Sequence, residues 1–291
     1  MNIKLNKYEK KKVKDLYRRL KNAELLSDEI SKYYYNYAEN INRELQKLVK
    51  NVKIDSVITE KEADQILDQL DELTIKKLRK LLRQLNINHD ILNSKKYKKI
   101  EDDGWFIFDY IFVNLYSLQS KKIHDFLFSM IKIGYADSIK DILNISKNID
   151  EREIEKMISN SWSGLNYNKR LKINNEKIKE EIKKNVYKSL LTGEVSEKIK
   201  ERNVELLGQG ANQTKRLLRT ETAAYSNEIE AKAANDCGIN SYMFISIGDD
   251  HTCGNCLDLH GTTHTYNRRQ VGYNYPPLHP NCRCIAIPYW R

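Results

Sequence analysis

Before Cys237 this chain of 291 residues has no cysteine, and before Pro276 it has no proline. The missing proline removes the strongest helix breaker from more than nine-tenths of the sequence, so long helices are expected there. No run of 18 apolar residues occurs, which excludes a membrane-spanning helix. The opening MNIKLNKYEKKKVKDLYRRL lacks the uninterrupted apolar stretch of a signal peptide, so the chain is expected in a cytoplasm. Thiols stay reduced there, and clustered cysteines then favour metal over disulfides. There is no Gly-rich phosphate cradle, no HExxH helix, no Ser-His-Asp signature and no internal repeat.

What is present is a helical composition. Hydrophobic residues make up 40% and charged residues 31%, and Lys plus Arg outnumber Asp plus Glu by 50 to 40, a net charge of +10. That surplus suits nucleic acid or an acidic protein surface, but most lysines alternate with Glu and Asp and read as solvated helix faces. Ser27 is placed to cap a helix to about Asn51, with Ile30, Tyr34, Tyr37, Ile41, Leu45 and Leu48 at helical spacing. The cluster Tyr33, Tyr34, Tyr35 and Tyr37 spans more than one side of it, for packing or for a partner. Thr59 and Glu62 fit a capping box for a helix that continues to about Asn86. Trp105–Leu118 is apolar on nearly every side and is expected to be the most buried helix. Further helices are expected over 120–132, 135–147, 150–162, 172–190 and 194–206.

A last long helix runs from about Asn212 to a glycine stop at Gly238. Beyond it the pattern has period two, with strands expected over 242–247 and 284–287. The fold class expected is mainly α: an extended helical bundle or arm, then a small α+β module with short strands. The division expected is a helical region over 1–162, a helical connector over 163–211 and the module over 212–291.

All five cysteines lie in or beside that module. Cys253 and Cys256 form a Cys-x-x-Cys, in which a tight turn lets two thiolates reach one tetrahedral ion. His279, Cys282 and Cys284 add an imidazole and two more thiolates. Five donors for a four-coordinate site point to structural zinc, with no position left open for water. Spacing leaves the choice open; His279 with one of Cys282 and Cys284 is favoured. Cys237 reads as a packing residue, and His89 and His124 have no evident partners. A different class of reading is a metal-dependent nuclease or toxin-like enzyme using His251, His264 and Asp250 to position a metal or activate water. Histidines beside aspartates are also common on ordinary surfaces.

The order of these elements is specific. A helix carries Arg219-Thr220-Glu221, and a strand leads to Asp249-Asp250. Thr252-Cys253-x-x-Cys256 and Leu259-His260-Gly261 follow, then Pro276-Pro277-Leu278-His279-Pro280-Asn281-Cys282-Arg283-Cys284. This resembles the phage head morphogenesis family of minor head (minor capsid) proteins, whose C-terminal module is shared with the Mu F protein. The resemblance covers roughly Leu217 to Pro288, with Tyr187–Ser196 resembling the segment that leads in. It implies a non-enzymatic virion protein of a tailed bacteriophage, made in the host cytoplasm and placed inside the head. The partners it implies are the portal protein, the major capsid or scaffolding protein and double-stranded DNA. Some relatives carry a fused toxin or ADP-ribosyltransferase domain; with Arg291 so close to the module, none is expected on that side.

Overall fold

A computed structural model describes residues 5–51, 57–70, 74–87, 105–248 and 252–290. Its helices are α1 (Lys7–Asn51), α2 (Glu60–Leu67), α3 (Ile75–Gln84), α4 (Trp105–Leu143), α5 (Glu151–Ser159), α6 (Tyr167–Thr192) and α7 (Glu197–Asp236). The module follows as β1 (Ser241–Ile245), a short α8 (Gly254–Asp258), β2 (Thr263–Thr265) and β3 (Ile285–Tyr289). The expected class, mainly α with a small α+β C-terminal module, is what is found.

Among the described residues, several helix boundaries differ from those the sequence pattern suggested. Ser27 caps nothing: it lies inside α1, and its hydroxyl donates back to the Glu24 carbonyl at 2.7 Å. A buried stripe at steps of three and four (Leu16, Leu20, Ala23, Ser27, Ile30, Tyr34, Ala38, Ile41, Leu45) passes straight through it. The Thr59–Glu62 capping box is present, with the Glu62 amide donating to Thr59 Oγ1 at 3.3 Å and the Thr59 amide to Glu62 Oε2 at 2.9 Å. Its helix stops at Leu67, however, and a new one begins after Thr74, whose hydroxyl accepts from the Lys77 amide at 3.2 Å. The segments expected over 105–118, 120–132 and 135–147 are one helix. Near its start only one face is buried, through Phe108, Ile111, Phe112 and Leu115, while Tyr110 and Val113 are exposed.

Two compact units emerge. The first combines Met1–Glu29, Gln119–Leu171 and Gln213–Arg291; the second combines Ile30–Leu118 and Lys172–Asn212. In the second unit Tyr34 is fully buried and its hydroxyl donates to Asn175 Oδ1 at 3.0 Å, whereas Tyr35 is half exposed. A run of amides crosses three helices there: Asn185 Nδ2 donates to Asn203 Oδ1 (2.7 Å), Asn203 Nδ2 to Asn42 Oδ1 (2.8 Å), and Asn42 Nδ2 to the Lys200 carbonyl (3.2 Å). Each member is satisfied in turn, which favours one register over its slipped alternatives. The helices expected over 194–206 and from about Asn212 are one, α7, with Gly208 and Gly210 inside it. A Cβ on Gly210 would lie 2.6 Å from Tyr34 Cε1, so glycine is there for close approach.

In the first unit the sheet order is β2-β1-β3, all antiparallel, with Tyr242 opposite Pro288 and Phe244 opposite Ala286. β3 is an edge strand, which is why it tolerates Pro288. One face of the sheet, through Ile245, Ile285 and Ile287, packs on Leu16 and Leu20 of α1 and Ala223 of α7. The other face carries Tyr242 and Ala286 against Tyr266 and Tyr275, and Phe244 against the cysteines. Both faces are covered, so β3 is apolar at successive positions instead of alternating. Beneath α1, the fully buried Glu230 of α7 takes Lys12 Nζ at 3.0 Å and the Ser138 hydroxyl at 2.9 Å.

Candidate metal centre

The two donor clusters are shaped by two different turns. Cys253 is the N-cap of α8, and Cys256 is the third residue inside that helix. These are the two positions that a capping box brings together, so the Cys-x-x-Cys spacing converges for the same geometric reason. In the second cluster the Cys282 amide donates to the His279 carbonyl at 3.1 Å, and Asn281 has φ +63°. Proline at the second position and a positive φ at the third are the requirements of a type II turn, and asparagine tolerates that φ. The turn places His279 and Cys282 at its two ends. Its Asn281 amide is pinned to α7 by donation to Thr220 Oγ1 at 3.0 Å.

The five expected donors come together as two triplets that share Cys256: Cys253–Cys256–His279 and Cys256–Cys282–Cys284, each with its ligand atoms within 4.8 Å of one another. His279 Nε2 lies 3.3 Å from Cys253 Sγ and 3.4 Å from Cys256 Sγ, and Cys256 Sγ lies 3.9 Å from Cys282 Sγ. A tetrahedral zinc ion with ordinary bond lengths sets its nitrogen and sulfur ligands about 3.6 Å apart and two sulfurs about 3.8 Å apart. The observed separations agree with those values to a few tenths of an ångström.

The imidazole is oriented for such a role. His279 Nδ1 is 2.9 Å from the Pro280 carbonyl, which can only accept, so Nδ1 carries the proton. In the neutral ring the lone pair is then on Nε2, facing the sulfurs, as an outer hydrogen bond fixes it in metal sites. Burial pulls the His279 pKa down, but the Pro280 carbonyl and the Cys282 sulfur outweigh it and hold the ring above its ordinary value. Among the three buried thiols, hydrogen bonding from Cys256 and then Cys284 holds Cys282 far below the ordinary cysteine range. The pairing with Cys282 lifts Cys256, and the pairing with Cys256 lifts Cys284. Three buried thiols thus compete for one another's hydrogen bonds, an environment that a cation would relieve.

The remaining histidines play other parts. His260 Nδ1 accepts from the Ser246 amide at 3.1 Å, bracing the end of β1. His264, on β2, meets the Thr262 hydroxyl at 2.9 Å and lies 5.5 Å from the Tyr242 ring. Its expected companions Asp250 and His251 lie outside the described residues, as does His89. His124 pairs with Glu155 at 3.1 Å.

Two buried polar residues of α7 hold its neighbours, and Asn227 was not foreseen. Asn227 of α7 is fully buried, donates to the Cys284 carbonyl at 3.2 Å and accepts from the Ala286 amide at 2.7 Å. It thereby satisfies the open edge of β3 beside the cysteine–histidine cluster. Glu221, six residues earlier and 1% exposed, accepts from Trp162 Nε1 at 2.8 Å. Asn227 has no signature in sequence, because an Asn on a helix reads as surface until the packing is known.

Residues 180–287 match the family described as phage Mu protein F like protein. No curated protein and no solved structure matches the chain. The matched span runs from the middle of α6 through α7 and the sheet and takes in every donor of the cluster. Over residues 180–287, then, the chain is similar to phage Mu protein F like protein.

Proposed function

We propose that the chain is a minor head protein of a tailed bacteriophage, associated with the portal protein inside the procapsid, and that its cysteine–histidine cluster is a structural zinc clip. The observation that carries the clip is the spacing of His279 Nε2 from Cys253 Sγ and Cys256 Sγ and of Cys256 Sγ from Cys282 Sγ, each close to the separation of two ligands on one tetrahedral ion. Cys253, Cys256, His279 and Cys282 would hold it, with Cys284 as the buried thiol beside them. A four-donor site leaves no open position, so the ion would tie α8 to the turn before β3 rather than act on a substrate. The family match over 180–287 supports the role in the head. The net charge of +10 supports contact with packaged double-stranded DNA.

Metal analysis of the purified full chain tests the clip. About one zinc per chain is expected, lost together with thermal stability in Cys256→Ser. Metal-free protein, purified without chelator and still folded, would refute it. Co-expression with the portal and capsid proteins tests the role separately: the chain is expected in assembled heads, and heads that exclude it would refute the role whatever the metal result.

A further inference from the structure

The four-donor clip leaves one buried sulfur unused. The ligand atoms of Cys256, Cys282 and Cys284 all lie within 4.8 Å of one another, so three thiols converge with no imidazole among them. Side chains two apart on an extended chain stay on one face but several ångströms from each other, so the convergence of Cys282 and Cys284 on Cys256 needs a fixed backbone. The chain is tied to α7 on both sides of that step. Asn281, with φ +63°, donates its amide to Thr220 Oγ1 at 3.0 Å, and the Cys284 carbonyl accepts from Asn227 Nδ2 at 3.2 Å.

The two triplets that share Cys256 differ in exposure and in chemistry. Cys256, Cys282 and Cys284 are 2%, 2% and 3% exposed and pack on Phe244, whereas Cys253 and His279 are half-buried. The outer triplet includes a nitrogen donor and suits zinc, an ion that takes mixed nitrogen and sulfur ligands. The inner triplet is dry and offers sulfur alone. Soft thiolates favour copper(I), which is satisfied by three ligands where structural zinc takes four. Three sulfurs spread evenly around an ion at a bond of about 2.3 Å lie about 4.0 Å apart, and Cys256 Sγ is 3.9 Å from Cys282 Sγ. That separation suits either ion; the donor set on each side of Cys256 is what tells them apart.

We propose that Cys256, Cys282 and Cys284 form a three-sulfur site for a soft monovalent ion of the copper(I) class, which displaces zinc by drawing Cys256 and Cys282 away from it. The step is ligand exchange: thiol protons leave to solvent and no atom changes oxidation state. The displacement of zinc rests on the clip proposed above; the three-sulfur site does not. The test titrates the zinc-loaded full chain anaerobically with copper(I) supplied as its bicinchoninate complex, then records X-ray absorption at the copper edge. One copper per chain in a sulfur-only shell is expected, with release of the zinc. Cys284→Ala is expected to keep its zinc and its melting temperature yet bind copper(I) more than about tenfold more weakly, the least that losing even an outer partner of a metal costs. His279→Ala is expected to do the reverse, losing zinc and keeping copper(I). Nitrogen in the copper shell, copper(I) affinity unchanged in Cys284→Ala, or zinc lost from folded Cys284→Ala would each overturn the proposal. The spectrum of the parent chain decides the matter even if a variant fails to fold. A chain that holds no zinc but takes copper(I) on three sulfurs would refute the clip and uphold this site.

Discussion

Asn227→Ala should unfold the C-terminal sheet from its open side. β3 is an edge strand, and its outer backbone groups are satisfied by one buried side chain: Asn227 Oδ1 accepts from the Ala286 amide at 2.7 Å while Nδ2 reaches the Cys284 carbonyl at 3.2 Å. Truncation leaves both groups buried without a partner. Each orphaned group costs about 1–3 kcal/mol, so the loss is about 2–6 kcal/mol. For a chain of this size a kcal/mol moves the melting temperature by about 2–4 °C, placing the expected drop near 10 °C. Asn227→Asp keeps the acceptor, loses the donor and buries a charge, so at pH 8 it should fall at least as far. The assay is a circular-dichroism melt of each full-length variant alongside its metal content. If both variants melt within about 2 °C of the parent, the amide does not hold this edge and the reasoning fails.

Three further outcomes follow from the packing. Burial lifts the Glu221 carboxyl to about 7, only partly offset by the Trp162 indole and the Arg170 guanidinium. The folded state therefore holds this proton more tightly than the unfolded state. Its contribution is fully present below pH about 4.5 and is lost as pH rises through 7, a change of about 3 kcal/mol. Glu221→Gln should flatten the pH dependence of denaturant unfolding between pH 5 and pH 8, and an unchanged slope would remove Glu221 as its source. Gly210→Ala, which in an open helix would stabilise by about 1 kcal/mol, should instead destabilise by about 1–3 kcal/mol because its methyl meets Tyr34; a raised melting temperature would refute the close approach. A fragment of residues 180–291 should lack a cooperative melt, since the face formed by Ile245, Ile285 and Ile287 would lose Leu16 and Leu20. A sharp two-state transition in that fragment would refute this.

Local chemistry was legible in the sequence, and continuity was not. The Thr59–Glu62 box and the Gly238 stop are spelled by residues whose backbone preferences are strong: Gly238 has φ +73° and the Ile239 amide closes back on the Ala234 carbonyl at 2.8 Å. The five donors were legible because thiols and imidazoles clustered beside Pro and Gly have few other uses. Ser27 misled because serine precedes an apolar stripe equally well where a helix starts and where it continues; the upstream Leu16, Leu20 and Ala23 carried the missing evidence. The continuity of α7 through Gly208 and Gly210 was not legible, because a glycine that permits close packing looks the same in sequence as one that breaks a helix. β2, with the sequence Thr-His-Thr, has no apolar alternation at all; it is a strand because Tyr242 and its neighbours offer it a partner.

The first unit is drawn from three stretches of chain that lie far apart in sequence. Time is the consequence. At about 5–20 residues per second of synthesis, Leu16 is made roughly 15–50 s before the isoleucines of β3 that will cover it. Throughout that interval its apolar stripe has no final partner, and Lys12 has no Glu230. A newborn copy is thus most vulnerable to aggregation before its last few dozen residues emerge. A host chaperone that shelters the first helix during translation would raise the yield of folded protein more than one acting after release.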